Sequence, residues 1–131
     1  MVLDTSAIVA AISGEPDGSR FQSAMLRETS LVISAVTVLE TRIVLVSRHG
    51  AEAVREFDGM IDRSGIGVVA FDAEMAAAAF DAFQRYGKGQ GHPAQLNIID
   101  CAAYALAKTR GEPLLFKGDD FRRTDVAPAL G

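Results

Sequence analysis

Short apolar runs alternate along this chain with longer segments whose apolar residues recur at helical spacing. The runs are residues 1–3, 31–33, 67–71 and 114–116. Each is long enough for a buried strand and too short for a helix. Consecutive parallel strands need a long crossover connection, and a helical segment of that kind separates each run from the next. The sequence therefore predicts a three-layer α/β/α fold around a central, mainly parallel sheet.

The length of 131 residues suits one domain with a hydrophobic core. We see no linker or internal repeat, so residues 1–131 are expected to form a single domain. No apolar run approaches the ~20 residues of a membrane span, and the N-terminus lacks the basic region of a signal peptide. The single cysteine, Cys101, is expected to be a buried thiol in a reducing compartment. We therefore expect a cytoplasmic protein without membrane contact.

Helical patterns cover residues 6–12, 17–28, 35–48, 51–63, 73–86 and 98–110. Ser34, Asp72 and Asn97 are suitable N-caps, and Gly50 and Gly111 are suitable helix ends. Residues 87–93 form a glycine-rich loop. The side chains expected to face the core are Phe21, Met25, Leu26, Val36, Leu39, Ile43, Val54, Phe57, Ile61, Met75, Ala79 and Phe83.

Acidic residues stand where predicted strands end. Asp4 follows the first strand, and Asp119 and Asp120 follow the last. The carboxyl ends of parallel strands share one edge of the sheet, where open α/β sheets bind ligands. Ordinary structural roles are also open, for Asp4 as an N-cap and for the pair as turn residues. Thr5 and Ser6 could cap the first helix equally well, so an acid at this strand end is more than capping requires.

Glu40 lies within or beside the apolar stripe of the third predicted helix, one turn from Val36 and from Val44. A buried carboxylate without a partner costs several kcal/mol, so Glu40 needs a cation. Arg42 projects about 200° around the helix from Glu40 and is poorly placed to supply one. A metal ion or its water shell is the preferred partner, and a salt bridge from another element is the alternative.

Asp100 belongs to the first turn of the last predicted helix. With Asn97 it has the spacing of a capping box. Its neighbours Ile98, Ile99 and Cys101 are apolar, so the carboxylate is expected to lie half inside the domain. Capping and metal binding are compatible, and we expect Asp100 to do both.

A site built from carboxylates favours hard divalent cations. No matching set of His and Cys residues is present, which disfavours zinc, whereas oxygen ligands suit Mg²⁺ or Mn²⁺. Such ions activate water and bind phosphate oxygens. The net charge of −4 argues against a protein that coats nucleic acid with positive potential, but bound metal inverts the field of an acidic site. His49 and His92 form no Ser-His-Asp set, and the glycine-rich loop lacks the Walker spacing.

Several segments together resemble the PIN-domain ribonucleases, and specifically the VapC-type toxins of bacterial toxin–antitoxin pairs. They occur in the family's order and span nearly the whole chain. They are Val2-Leu3-Asp4-Thr5-Ser6-Ala7, Ser34-Ala35-Val36-Thr37 leading to Glu40, and residues 92–97, 100–107 and 112–121. A single segment of this kind is a weak signal, whereas the ordered set is specific.

The resemblance implies an endoribonuclease that inhibits translation until a cognate antitoxin neutralises it. The acids implied as catalytic are Asp4, Glu40, Asp100 and Asp119, and the ligands of one or two Mg²⁺ or Mn²⁺ ions are these four with Asp120. Either acid of the 119–120 pair could face the metal. Ser6 matches a position that supports the site through its hydroxyl. The family also implies a homodimer and an antitoxin whose C-terminal segment occupies the active-site groove.

Basic residues near the predicted site are candidates for guiding RNA to it. They are Lys88, His92, Lys117, Arg122 and Arg123. Any one of them could equally belong to a solvated surface. Phosphate contacts would supply affinity, and RNA shape and unpaired bases would supply specificity.

Three other functions compete with a nuclease. A haloacid-dehalogenase-type phosphatase requires a second acid two residues after the first, where this chain has Ser6. A response-regulator receiver domain requires an acidic pair near the first strand, and Glu40 inside a helix does not fit it, although Lys117 does. A non-catalytic binding module with the same fold would have no use for unpaired negative charge in a crevice. We therefore expect a nuclease.

Overall fold

A four-stranded parallel sheet forms the centre of the computed structural model, which describes residues 1–131. The strands are β1 (Val2–Leu3), β2 (Val32–Ser34), β3 (Gly67–Val69) and β4 (Leu114–Leu115). They lie in the order β3–β2–β1–β4. Val2 pairs with Val32 on one side and with Leu114 on the other, so β1 is an inner strand. The prediction of a mainly parallel central sheet is confirmed.

The helices connect the strands. They are α1 (Thr5–Ile12), α2 (Gly18–Leu26), α3 (Ala35–His49), α4 (Ala51–Arg63), α5 (Ala73–Tyr86) and α6 (Ile98–Arg110), and a short 3₁₀ helix spans Phe121–Arg123. Asp72 and Asn97 cap α5 and α6 through their side chains. Ser34 occupies the N-cap position of α3, but its side chain makes no capping bond. None of the helices combines the length and the apolar character needed to cross a membrane.

Two hydrophobic cores lie on opposite faces of the sheet, because successive strand residues point to opposite sides. Leu3, Ile33 and Leu115 pack with residues of α1, α2, α3 and α4. Val2, Val32 and Leu114 pack with residues of α5 and α6. Helices therefore cover both faces, which confirms the three-layer α/β/α prediction and leaves the carboxyl edge of the sheet open between the layers.

Part of the predicted core faces solvent instead. Leu26 is 84% exposed, Leu39 57% and Ile43 54%. The α3 residues that do face the core are Thr37, Val38, Thr41 and Leu45. Thr41 can be buried because its hydroxyl donates to the Thr37 carbonyl oxygen at 2.8 Å. The inward face of α3 is therefore partly polar. The prediction that Leu39 and Ile43 face the core was wrong, because it assumed that the inward face is the apolar one.

Cys101 is buried on α6 with 1% of its surface exposed. Burial raises the pKa of its thiol to about 11, and the neighbouring Asp100 charge acts in the same direction. Since the thiolate is the nucleophile and the metal ligand, this protonated thiol takes no part in either chemistry.

Candidate active site

Asp4 directly follows the inner strand β1, and its side chain is almost completely buried, with 4% exposed. Its Oδ2 accepts hydrogen bonds from the Ser6 backbone N–H at 3.0 Å and from the Ser6 hydroxyl at 2.5 Å. Asp4 is thus the N-cap of α1. Its Oδ1 has no hydrogen-bond partner, which is uncommon for a buried oxygen. Capping uses one carboxylate oxygen and leaves the other available.

Ser6 connects Asp4 to the turn after β4. The Ser6 hydroxyl donates to Asp4 Oδ2 and accepts a hydrogen bond from the Lys117 backbone N–H at 2.9 Å. Strands β1 and β4 are neighbours in the sheet, so this pair of bonds joins their carboxyl ends. The Asp4 carboxylate is held in one orientation as a result.

Asp100 lies in the first turn of α6, where it forms the predicted capping box with Asn97. Its Oδ2 accepts from the Asn97 N–H at 3.0 Å, and Asn97 Oδ1 accepts from the Asp100 N–H at 2.8 Å. Burial raises the pKa of the Asp100 carboxyl to about 7, against the opposing effect of the Asn97 bond. The charges of Asp4, Glu40 and Asp120 also raise it. These four acids therefore share one electrostatic environment.

Glu40 is half-buried on α3 and makes no ion pair. Arg42, on another side of the helix, pairs with Asp58 at 2.9 Å. The salt bridge that was an alternative for Glu40 is absent from the structure. The Glu40 charge contributes to raising the pKa of Asp4, although burial is the main cause of that shift.

Asp4, Glu40 and Asp100 line one cavity of about 340 Å³. The other residues of its wall are Thr5, Ser6, Val9, Glu15, Val44, Arg48 and Lys117. Like charges that are partly buried together repel one another unless a cation balances them. The Lys117 ammonium does not do so, because Glu15 and Asp17 hold it at 2.6 and 3.0 Å. Arg48 does not do so either, because its exposed side chain forms no ion pair with the acids. The cavity, here called the acidic cavity, is therefore suited to a cation from solution.

The donor set of the acidic cavity fits a hard divalent cation that keeps part of its water shell. Its polar side chains offer oxygen ligands, and no His or Cys lines it. No three acidic, His or Cys side chains lie close enough to ligate one ion together. Mg²⁺ retains several waters and uses one or two carboxylates directly, whereas structural zinc requires a closed set of four ligands. This spacing and the unpartnered Asp4 Oδ1 suit Mg²⁺ or Mn²⁺.

The two acids after β4 have different surroundings. Asp120 acts on the pKa of Asp100, so it lies near the other acids. Asp119 lines a separate cavity together with Phe21 and Phe116. Asp120 is therefore the acid of the pair that acts on the cluster in this structure, and the catalytic role expected for Asp119 stays a prediction. Gly118, which precedes the pair, has a φ of 108°, a conformation that favours glycine.

Comparison with known proteins identifies the family to which this arrangement belongs. A family profile described as PIN domain matches residues 1–127. The chain belongs to the PIN-domain family. It is 49% identical over 127 residues to a ribonuclease VapC of Mycolicibacterium smegmatis, an alignment that covers 97% of this chain and 98% of the relative. The resemblance inferred from the ordered motifs is confirmed.

Two further relatives of this PIN domain come from Mycobacterium tuberculosis. Ribonuclease VapC30 is 46% identical, with 97% of this chain and 96% of the relative covered. Ribonuclease VapC42 is 45% identical, with 98% of each covered. The similarity therefore extends over the whole length of these proteins.

Solved toxin structures share the fold of this PIN domain. Mycobacterium tuberculosis VapC20, described as a sarcin-ricin loop cleaving toxin, gives a TM-score of 0.81 at 16% identity, with 96% of this chain and 95% of that chain covered. A toxin–antitoxin complex from Klebsiella pneumoniae gives 0.68 at 17% identity, with 92% and 88% covered. At these low sequence identities, the comparison shows a shared fold alone.

Lys117 is the one predicted RNA-guiding residue that lines the acidic cavity. Its hydrogen bonds to Glu15 and Asp17 raise the pKa of its ammonium group. They also tie the loop between α1 and α2 to the turn after β4. Lys117 therefore closes one side of the cavity and is engaged within the protein.

His92 and Arg123 have structural contacts outside the acidic cavity. The His92 ring packs edge-on against Tyr86 with 4.8 Å between ring centroids, and its Nδ1 accepts from the Ala94 N–H at 3.0 Å. Arg123 donates to the Pro93 carbonyl oxygen at 3.1 Å. Both side chains thus hold the segment that precedes α6, and their role in guiding RNA stays a prediction.

Arg122 and Lys88 also lie outside the acidic cavity. The Arg122 guanidinium lies 5.6 Å from the centroid of the Phe116 ring, on the same separate cavity as Asp119. Lys88 is exposed in the glycine-rich loop. The role of these two residues in guiding RNA stays a prediction.

Two charged residues of the acidic cavity were missed in the sequence, Glu15 and Arg48. Arg48 follows Glu40 by eight residues on α3, and Val44 lies between them on the same wall. Residues at this spacing share a helix face, so the position of Arg48 could have been predicted from Glu40. Glu15 lies in the loop between α1 and α2, where no periodicity indicates direction.

A buried pair of hydroxyls joins the segments that carry two of the acids. Thr5 follows Asp4, Thr41 follows Glu40, and their Oγ1 atoms lie 3.0 Å apart with 7% and 0% of the residues exposed. Thr41 donates its proton to the Thr37 carbonyl oxygen, so Thr5 is the donor within the pair. The bond links α1 to α3 and sets the spacing of Asp4 and Glu40.

Substitution of Thr41 by valine is expected to destabilise the fold by about 1–3 kcal/mol, because the buried Thr5 donor loses its acceptor. Thr5→Val should cost less, since Thr41 keeps its bond to the Thr37 carbonyl. The double variant should lose less stability than the sum of the two, with a coupling of about 0.5–3 kcal/mol. Urea unfolding of all four proteins measures this, and additive losses would show that the bond contributes nothing.

Proposed function

We propose that this PIN domain is a metal-dependent endoribonuclease that acts as the toxin of a toxin–antitoxin pair. The observation that carries the proposal is the convergence of Asp4, Glu40 and Asp100 on one cavity, where none of the three forms an ion pair with a basic side chain. Relatives named ribonuclease VapC, 45–49% identical over nearly the whole chain, support RNA as the substrate. Cleavage of an RNA required for translation would inhibit protein synthesis in the cytoplasm.

One or two Mg²⁺ or Mn²⁺ ions would be held by Asp4, Glu40, Asp100 and Asp120, with at most two of these acids binding any one ion directly and the others acting through its waters. Asp4 offers the unpartnered Oδ1, and Asp100 offers a carboxylate that Asn97 orients. Glu40 lines the same cavity from α3. When bound, the metal supplies an activated water and neutralises charge on the phosphate.

The protein's own groups keep these acids in position and set their charge. Ser6 holds Oδ2 of Asp4, which leaves Oδ1 for a ligand. The raised pKa of Asp100, about 7, means that this carboxyl holds a proton part of the time near neutral pH in the metal-free protein. Metal ligands must be deprotonated, so binding would release that proton and metal affinity would rise with pH.

An antitoxin and a second copy of the chain are the proposed protein partners. The toxin–antitoxin complex from Klebsiella pneumoniae, which shares the fold, supports the first. We propose that the C-terminal segment of the antitoxin occupies the groove of the acidic cavity. The apolar side chains exposed along α3, Leu39, Ile43 and Val46, are the surface that we expect the homodimer to bury.

Cleavage of a mixed pool of structured RNAs by the purified full chain tests the proposal. We expect internal cuts with Mg²⁺ or Mn²⁺ and none with EDTA. Asp62→Asn, which removes an exposed acid of α4 that has no partner, should cut like the wild type. Titration of Mn²⁺ by calorimetry is run in parallel, and a chain that neither binds the ion nor cuts RNA would contradict the proposal.

A further inference from the structure

Arg48 is a cation on the wall of the acidic cavity that no other protein group engages. It lies in the last turn of α3, its side chain is exposed, and it forms neither an ion pair nor a side-chain hydrogen bond. The other cation of the cavity, Lys117, is held by Glu15 and Asp17. Arg48 is therefore the positive group of this cavity that is free to bind an anion.

The position of Arg48 along α3 separates it from the acids. At a rise of about 1.5 Å per residue, the eight residues from Glu40 to Arg48 span about 12 Å along the helix axis. Helical side chains lean toward the N-terminus, so Arg48 still lines the cavity and borders it from the end away from Glu40. A neighbouring phosphate of the same strand would lie within reach of the Arg48 side chain.

We infer that Arg48 binds a backbone phosphate beside the scissile one and so positions the RNA strand over the acidic cavity, an inference that rests on the proposed function. The guanidinium group offers a planar fork of donors that matches phosphate oxygens. An acidic cleft in a chain of net charge −4 repels a polyanion, so a cation at its margin supplies attraction where the strand enters.

Arg42 provides a matched control for the loss of charge. It lies on the same helix and is ion-paired with Asp58 on another side of it. Arg48→Gln and Arg42→Gln change the net charge equally. Arg48→Lys keeps the charge and removes the fork.

The experiment measures binding of a fluorescein-labelled, mixed-sequence single-stranded RNA by anisotropy, in EDTA so that no cleavage occurs, at several salt concentrations. We expect Arg42→Gln to bind like the wild type and Arg48→Gln to bind about tenfold more weakly. The slope of log affinity against log salt should fall by about 0.7, the value for one phosphate contact on a single strand. Arg48→Lys should keep the slope and bind with intermediate affinity.

Steady-state cleavage with Mg²⁺ provides the second readout. A flanking contact made equally before and during reaction should raise KM in Arg48→Gln while kcat stays within about twofold of the wild-type value. A loss of folding would instead lower the amount of active enzyme, and thermal unfolding of each variant measures that directly.

The outcomes separate this inference from the proposed function. Equal binding by Arg48→Gln and Arg42→Gln, whether both are unchanged or both weakened, would overturn the role of Arg48 while metal-dependent cleavage by the wild type still stood. A wild-type chain that neither binds nor cleaves RNA would overturn the proposed function, and the inference with it.

Discussion

Asp4→Asn is expected to abolish RNA cleavage and, at the same time, to stabilise the metal-free fold. Substitution of residues that only support metal ligands typically lowers activity 10–100-fold. Substitution of a ligand itself should therefore lower the cleavage rate by more than about a hundredfold. Stability should rise because the substitution removes a buried charge next to Glu40. The opposite directions of the two effects distinguish this variant from one that simply unfolds.

The local structure around Asp4 should survive the change. Asparagine is an equally good N-cap, and its amide oxygen can accept the two hydrogen bonds that Ser6 donates to Asp4 Oδ2. Its amide nitrogen then replaces Oδ1, the atom without a hydrogen-bond partner, and carries no negative charge. The cavity keeps its shape and loses a ligand.

Cleavage of the RNA pool in Mg²⁺ and urea unfolding in EDTA are the two measurements for Asp4→Asn. Asp62→Asn makes the same chemical change on the exposed surface of α4 and should alter neither. Wild-type cleavage by Asp4→Asn would remove Asp4 from the proposed mechanism. Reduced stability in EDTA would contradict the expectation, and would show that the buried amide N–H groups at the Oδ1 position cost more than the removed charge.

Local patterns in the sequence were sufficient to predict the parallel sheet and the positions of most of the acids in the fold. Apolar runs and helix caps predicted the parallel α/β architecture, and the α4, α5 and α6 boundaries agree with the structure because caps and glycines mark their ends. Asp4 and Asp100 were found for the same reason, since each is fixed by its position relative to a strand end or a helix cap. Where backbone hydrogen bonding fixes a residue, its sequence context reveals its place.

Residues placed by turns or by buried polar groups could not be predicted in this way. Asp119 and Asp120 have different surroundings in the turn after β4, and two adjacent acids look alike in a sequence. The inward face of α3 contains Thr37 and Thr41, whose burial depends on hydrogen bonds formed only in the folded helix and with α1. Hydrophobic periodicity contains no information about either.

Metal-free protein is expected to lose stability as pH rises from about 4 to about 7, in part through Asp100. The pKa of its carboxyl is about 7 in the folded protein against an ordinary value of 3.8, so the folded state binds more protons across this interval. The contribution is fully present below the ordinary value and is lost as pH rises through the folded one. Asp4, whose pKa is also raised, adds to the same slope.

Asp100→Asn should flatten this pH dependence and remove cleavage. Asparagine keeps an oxygen to accept the Asn97 N–H and never ionises, so the capping box is retained without the charge. The whole difference between the folded and ordinary pKa values corresponds to about 4 kcal/mol of unfolding free energy. Because the carboxylate is half-exposed, we expect Asp100→Asn to be more stable than the wild type by only about 2 kcal/mol at high pH. Near pH 4 the two proteins should be equally stable.

Urea unfolding in EDTA between about pH 5 and about pH 8 measures the difference, with Asp62→Asn as the control. Saturating Mg²⁺ should reverse the wild-type trend, because the ion binds the deprotonated carboxylates of the folded state and stabilises them. The same Mg²⁺ concentration should raise the unfolding free energy of Asp100→Asn less than that of the wild type. Parallel dependences of unfolding free energy on pH for the wild type and Asp100→Asn in EDTA would contradict this expectation. The Asp100 carboxyl would then be as well solvated in the folded chain as in the unfolded one. Repulsion among the acids would not be the reason that the cavity binds a cation.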